Sequence, residues 1–68
     1  MERVAVSSSN LVSVGYDAES MTLEVEFKNG IYQYYDVPEY IYDELMSAAS
    51  VGSYLHHNVK NTFSYAEI

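Results

Sequence analysis

The dipeptide Asn29-Gly30, set between two runs of strand-forming residues, constrains this chain more than any other feature. Before it, Met21, Leu23, Val25 and Phe27 alternate with Thr22, Glu24, Glu26 and Lys28, the period of a strand with one dry and one wet face. After it, Ile31-Tyr32-Gln33-Tyr34-Tyr35-Asp36 forms a second such run. Asn-Gly suits both positive-φ positions of a type I′ turn, so the pair predicts a two-residue hairpin with Lys28 opposite Ile31. Phe27 then faces Tyr32, Val25 faces Tyr34 and Leu23 faces Asp36. Opposed residues share a face, which assigns Tyr32 and Tyr34 to the core and leaves Ile31, Tyr35 and Val37 on the other side.

Upstream, Leu11 to Tyr16 alternates with Val12, Val14 and Tyr16 on one face, and Asp17-Ala18-Glu19-Ser20 has the length of a hairpin loop. This places Tyr16 opposite Met21 and Val14 opposite Leu23. Residues Val4-Ala5-Val6 read as an extended lead-in or an edge strand. Downstream, Asp36 and Glu39 have the spacing of a capping box around Pro38, and Ile41, Leu45 and Ala48 or Ala49 recur at helical spacing. Ser50 can cap a second helix in which Val51, Tyr54, Leu55 and Val59 share one side, with Gly52 as a weak point in its first turn. The expected fold class is α+β. It is a three-stranded antiparallel meander (residues 11–16, 21–28 and 31–36) covered on one face by helices over 38–49 and 51–59. Residues 61–68 are compatible with a short C-terminal strand or an extended tail.

At 68 residues without cysteine, the chain is expected to form a single small domain over 1–68, near the size where one core only just outweighs chain entropy. No apolar run approaches the roughly twenty residues that span a bilayer, and MERVAVSSSN lacks the h-region of a secretory signal. A cytoplasmic protein with no membrane partner is expected. The net charge of −7 sets ten acids against Arg3, Lys28 and Lys60. Such a balance repels phosphate backbones, since non-specific affinity for nucleic acid comes from Lys and Arg.

Little in the chain suggests catalysis. His56 and His57 are neighbours, so on a helix they diverge by roughly 100° and cannot share a metal as an i, i+4 pair can. Glu24 and Glu26 share a strand face, but acid–base work needs a cleft that drives two pKa values apart. No nucleophile elbow and no phosphate-cradling glycine loop is present. The chain is read as a non-enzyme without cofactor or metal. Eight tyrosines are the unusual feature, and rings exposed on a sheet can stack nucleobases.

Several segments in order resemble the KTSC domain, a module known from the C-terminus of some lysyl-tRNA synthetases and from small stand-alone proteins. They are Ser8-Ser9-Asn10, Ser13-Val14-Gly15-Tyr16-Asp17, Leu23-Glu24-Val25-Glu26-Phe27, the Y-x-Y of Tyr32-Gln33-Tyr34, Asp36-Val37-Pro38 and Gly52-Ser53-Tyr54. The resemblance implies that Tyr32, Tyr34, Asp36, Pro38 and Gly52 are structural, and it brings no enzyme activity. RNA binding has been suggested for the family. Its members tend to carry basic residues after the second helix, where this chain has only Lys60.

Two functional readings follow. In the first, the domain recognises a protein partner or another copy of itself through the outer sheet face around Ile31, Tyr35 and Val37. Its size and acidity would also suit a phage or mobile-element protein acting on a host factor. In the second, it binds RNA, another nucleic acid or a nucleotide, with Tyr35, Tyr54 and Tyr65 stacking on bases and Lys28 and Lys60 meeting phosphate.

Overall fold

Alternation of apolar and polar residues does build the sheet, and the sheet is wider than the meander expected from it. The computed structural model describes residues 1–68. Strands β1 (Arg3–Ala5), β2 (Leu11–Asp17), β3 (Thr22–Phe27), β4 (Gly30–Tyr34) and β5 (Tyr65–Glu67) form one antiparallel sheet in the order of the chain. Helices α1 (Glu39–Ser47) and α2 (Val51–Asn58) lie in sequence between β4 and β5. The central three strands are those read from the sequence. β1 is the edge strand offered as one reading of the lead-in, and β5 is the strand form of the C-terminal segment.

Both hairpins differ from expectation by a register shift of two residues. In the structure Val25 pairs with Tyr32, Leu23 with Tyr34 and Phe27 with Gly30, so the turn residues are Lys28 and Asn29. Neither adopts a positive φ, which excludes a type I′ turn. The Lys28 amide is already committed on the other side, donating to the Asn10 carbonyl at 3.4 Å. In the first hairpin Asp17 pairs with Thr22 and Tyr16 with Leu23. Its loop is Ala18 to Met21, closed by Met21 at φ 54° and by the Asp17 carboxylate, which accepts from the Glu19 amide (3.1 Å) and the Ser20 hydroxyl (2.9 Å). Met21 is therefore a loop residue rather than part of the dry face. Val12 also leaves that face, because the β2–β3 register shifts between Leu11 and Ser13 and Val12 is the extra, exposed residue. A shift of two preserves side-chain parity, so Val14, Tyr16, Leu23, Val25, Phe27, Tyr32 and Tyr34 still share the inner face.

Val37 corrects a further expectation. Strand β4 ends at Tyr34, Asp36 turns the chain at φ 58°, and the period of two is lost. Val37 consequently points into the core, fully buried, with its amide donating to the Met21 carbonyl at 2.9 Å. The same turn undoes the expected capping box, since Pro38 occupies the N-cap of α1 without a side-chain hydrogen bond. Helix α1 ends at Ser47, two residues earlier than Ala49, with the Ser47 hydroxyl bonded back to the Asp43 carbonyl at 2.7 Å. Helix α2 begins as expected, its Ser50 hydroxyl accepting from the Ser53 amide at 3.2 Å.

The inner face and the helices enclose ten buried apolar residues: the sheet supplies Leu11, Val14, Leu23, Val25 and Tyr34, and Val37, Ile41, Leu45, Leu55 and Val59 close over them. Leu23, Leu45 and Leu55 are the largest of the fully buried side chains, each contributing roughly 1.5–3 kcal/mol by leaving water. Gly52 lets α2 approach residues 8–11: a β-carbon there would sit 3.3 Å from the Ser8 hydroxyl and 3.4 Å from Leu11 Cδ1.

Candidate functional site

Polar residues occupy two places on this sheet, and their chemistry differs. On the outer face Arg3, Gly15, Glu24, Gln33 and Ala66 form one row across all five strands. Gly15 lets β1 settle: a β-carbon there would come within 2.5 Å of the Glu2 carbonyl and 3.0 Å of Arg3 Cγ. The Arg3 guanidinium can then lie across it and pair with Glu24. Glu24 is only 7% exposed and also accepts from Gln33 Nε2 at 2.9 Å. The Gln33 hydrogen bond, more than the Arg3 charge, holds its carboxyl below the ordinary range, against the opposing effect of burial. Arg3 Nε also donates to the Ser13 hydroxyl (3.0 Å), Ser13 donates to Glu26 (2.9 Å), and Tyr35 donates to the Gln33 side-chain oxygen (3.2 Å).

The second place is the edge of the inner face beside the β3–β4 turn, where α2 ends and the helical lid stops. Here a cleft of about 290 Å³ is lined by Phe27, Tyr32, Tyr34 and Tyr65, with Asn29, Lys60 and Asn61 at its polar side. A second cleft of about 390 Å³ adjoins it, sharing Phe27, Asn29 and Lys60 and adding Lys28, Asn10 and His56. Register explains the aromatic wall. Tyr34 pairs with Tyr65 and Val25 with Tyr32, so these rings stand on one face at the β4–β5 side of the sheet. Phe27 and Tyr32 meet edge to face at 5.5 Å, and Tyr65 lies 6.0 Å from Tyr32 and 5.6 Å from Tyr34. Burial pushes the Tyr34 hydroxyl above its ordinary pKa, with smaller contributions from Tyr65 and Tyr32.

Electrostatics separates this edge from the rest of the chain. Both ion pairs of the protein belong to Arg3, leaving Lys28 and Lys60 without a carboxylate partner. Lys60 Nζ sits 5.2 Å from the centre of the Phe27 ring, within range for a cation–π contact. At the other end of β3, Tyr16 stacks on Tyr42 at 5.3 Å. Burial and then the nearby Glu39, Asp17 and Asp43 raise its hydroxyl pKa. The free cations and an acidic cluster thus lie at opposite ends of the molecule.

Of the residues the sequence offered for nucleic-acid contact, the structure brings together Lys28, Lys60 and Tyr65. Tyr35 belongs to the outer face, and Tyr54 donates to Glu44 at 2.6 Å, tying α2 to α1. Of the outer-face residues, Ile31 and Tyr35 stand half-buried on the sheet and Val37 is inside. Phe27, Asn29 and Asn61 carry no site signal in the sequence, because their placement depends on where α2 stops and β5 begins. The alternation places Tyr32 in the core; its ring is half-buried there and also forms a wall of the cleft. No group of three or more His, Cys, Asp or Glu side chains is positioned to hold a metal ion. His57 Nδ1 lies 2.8 Å from the Ser53 carbonyl and 3.3 Å from the Ser53 hydroxyl. An Nδ1–H donating to that carbonyl leaves no lone pair there to activate the hydroxyl. No helix is long and apolar enough to cross a membrane.

These features define a small α+β domain in which a meander is sealed on one face by two short helices. Residues 7–63 match the KTSC domain, and the chain belongs to that family. A crystal structure of a KTSC domain protein from Yersinia pestis superposes with a TM-score of 0.96 at 40% identity, covering 98% of this chain and 96% of that one. A protein of Stutzerimonas stutzeri (strain A1501) is 44% identical over 61 residues, which is 88% of this chain and 86% of the relative. A lysine–tRNA ligase of Trichormus variabilis is 37% identical over 54 residues, 78% of this chain but only 10% of the ligase.

Proposed function

We propose that this domain is a non-catalytic binding module that takes a nucleotide unit of single-stranded nucleic acid in the aromatic cleft. One observation carries the reading. In a chain of net charge −7, the two lysines without a carboxylate partner line adjoining clefts that share the Phe27 ring, one of them walled by Tyr32 and Tyr65. Rings offer stacking to any base and ammonium groups offer attraction to phosphate, the pairing that single-strand binders use. The cleft volume is at the lower end of small-ligand sites, suited to one base and sugar, and the acidic remainder of the surface disfavours a long duplex. The match to part of a tRNA ligase is compatible with this reading.

Fluorescence anisotropy with a labelled single-stranded octaribonucleotide in about 50 mM salt tests it, because low salt favours phosphate contacts. Binding is expected to weaken by more than about tenfold in the double variant Lys28→Gln/Lys60→Gln, and to be unchanged in Tyr35→Ala on the outer face. Absence of binding at that salt, or binding that Tyr35→Ala abolishes and the lysine variant does not, would overturn the proposal.

A further inference from the structure

Rows of paired residues across the inner face are apolar with one exception. Val4, Val14, Val25 and Tyr32 occupy a single row in β1 to β4, and the residue that continues it in β5 is Glu67. Opposed residues share a face, so this acid stands on the cleft side of the sheet beside Tyr32. It lies hard against the hairpin. A β-carbon built on Gly30 would sit 2.6 Å from Glu67 Oε2 and 3.7 Å from Tyr32 Cε1, so only glycine at position 30 leaves the carboxylate where it is. Glu67 takes part in neither ion pair of the chain, both of which belong to Arg3.

The edge of the inner face therefore carries charges of both signs. Lys60 and Lys28 line the clefts beside Phe27 and α2, and Glu67, which lines neither cleft, stands next to the Tyr32 wall with its carboxylate against Gly30. A phosphate is attracted by the lysines and repelled by Glu67. An ionised carboxylate accepts O–H or N–H donors; the ribose of a free nucleotide or a 3′-terminal unit presents two of them side by side, and an internal unit of a strand, whose 3′-oxygen is esterified, presents its 2′-hydroxyl. Acids that bind ribose hydroxyls in this manner occur in dinucleotide-binding folds, where the base and phosphate are held by other groups. Building on the cleft reading above, we propose that Glu67 reads the sugar of the bound unit. The ligand is then a ribonucleotide, with its ring system against Phe27, Tyr32 and Tyr65, its phosphate toward Lys28 and Lys60, and its 2′-hydroxyl on Glu67. The 2′-hydroxyl is the group that separates RNA from DNA at such a contact.

NMR titration of the intact chain with adenosine 5′-monophosphate, its 2′-deoxy counterpart, and octamers of adenylate in both sugar forms tests the inference. The ribo form is expected to bind about fivefold more tightly than the deoxy form, the size of one net hydrogen bond. In Glu67→Gln the ratio falls toward one while the deoxy ligands bind as well as before or better, since a negative charge has gone. A ribose preference in the monophosphate identifies a free nucleotide as sufficient, and one confined to the octamers identifies a strand; either supports the role of Glu67. Equal binding of ribo and deoxy ligands to the unaltered protein overturns that role and leaves stacking in the cleft intact. Binding of none of the four ligands overturns both.

Discussion

Glu24 on the outer face and Glu67 at the cleft margin are the same residue type on one sheet, and their surroundings differ completely. Glu24 is covered, accepts from Gln33 and pairs with Arg3, while Glu67 is exposed and takes no part in the chain's ion pairs. The three cations divide in the same way, with Arg3 held in the outer network and Lys28 and Lys60 unpaired at the cleft. A satisfied network fixes strands to one another, because removing one member strands its partner without water. Charges without a carboxylate or cation partner hold little in place and are available to a ligand. Substitutions in the outer-face network should therefore change stability and spare binding, and substitutions of Lys28 and Lys60 should do the reverse.

The largest stability effect expected on the outer face is that of Arg3→Ala. It leaves the buried Glu24 carboxylate without its cation and should cost about 1–3 kcal/mol in denaturant unfolding. Amide exchange in β1 should accelerate most, with affinity for the octaribonucleotide unchanged. Loss of affinity in this variant would break the proposed separation of the two regions.

Acid should act on the same network. Because the folded-state pKa of Glu24 lies below its ordinary value of 4.5, its stabilising contribution is complete above that value and disappears as pH falls through the folded-state pKa. Unfolding midpoints measured downward from pH 6 should decline in the unaltered protein, and less steeply in Glu24→Gln.

A smaller effect is expected from Tyr54→Phe, which removes the hydrogen bond to Glu44 between the helices for about 0.5–1.5 kcal/mol at neutral pH. Burial, helped by that acceptor, raises the Tyr54 hydroxyl to about 12 from an ordinary value of 10.0. A raised pKa stabilises the fold below the unfolded value and is lost as pH climbs toward the folded one. The difference between Tyr54→Phe and the unaltered protein should therefore narrow between pH 10 and pH 12. A gap that stays constant over that window would show that the hydroxyl contributes through packing alone.

What could be read from residues alone was local. Period two in Thr22 to Phe27 and in Ile31 to Tyr34, period 3.6 in Ile41 to Leu45, and the Ser50 cap specify which segments are strands or helices and which side of each is dry. These follow from the geometry of one segment and need no neighbour. Register was not legible, since sliding a strand by two residues returns every side chain to its own face and leaves the hydrophobic pattern equally satisfied. The choice fell to longer-range contacts: Lys28 bonded to Asn10, Val37 bonded to Met21, and left-handed turns at Met21 and Asp36. The pairings of the short edge strands β1 and β5 were hidden for a related reason, because backbone ladders carry no side-chain code. Lysines, tyrosines and their count were visible in the chain from the start. Only the tertiary structure decided that Lys28, Lys60 and Tyr65 meet around Phe27 while Tyr35, Tyr54 and Val37 lie elsewhere. That meeting depends on where α2 ends and on which neighbour β5 takes.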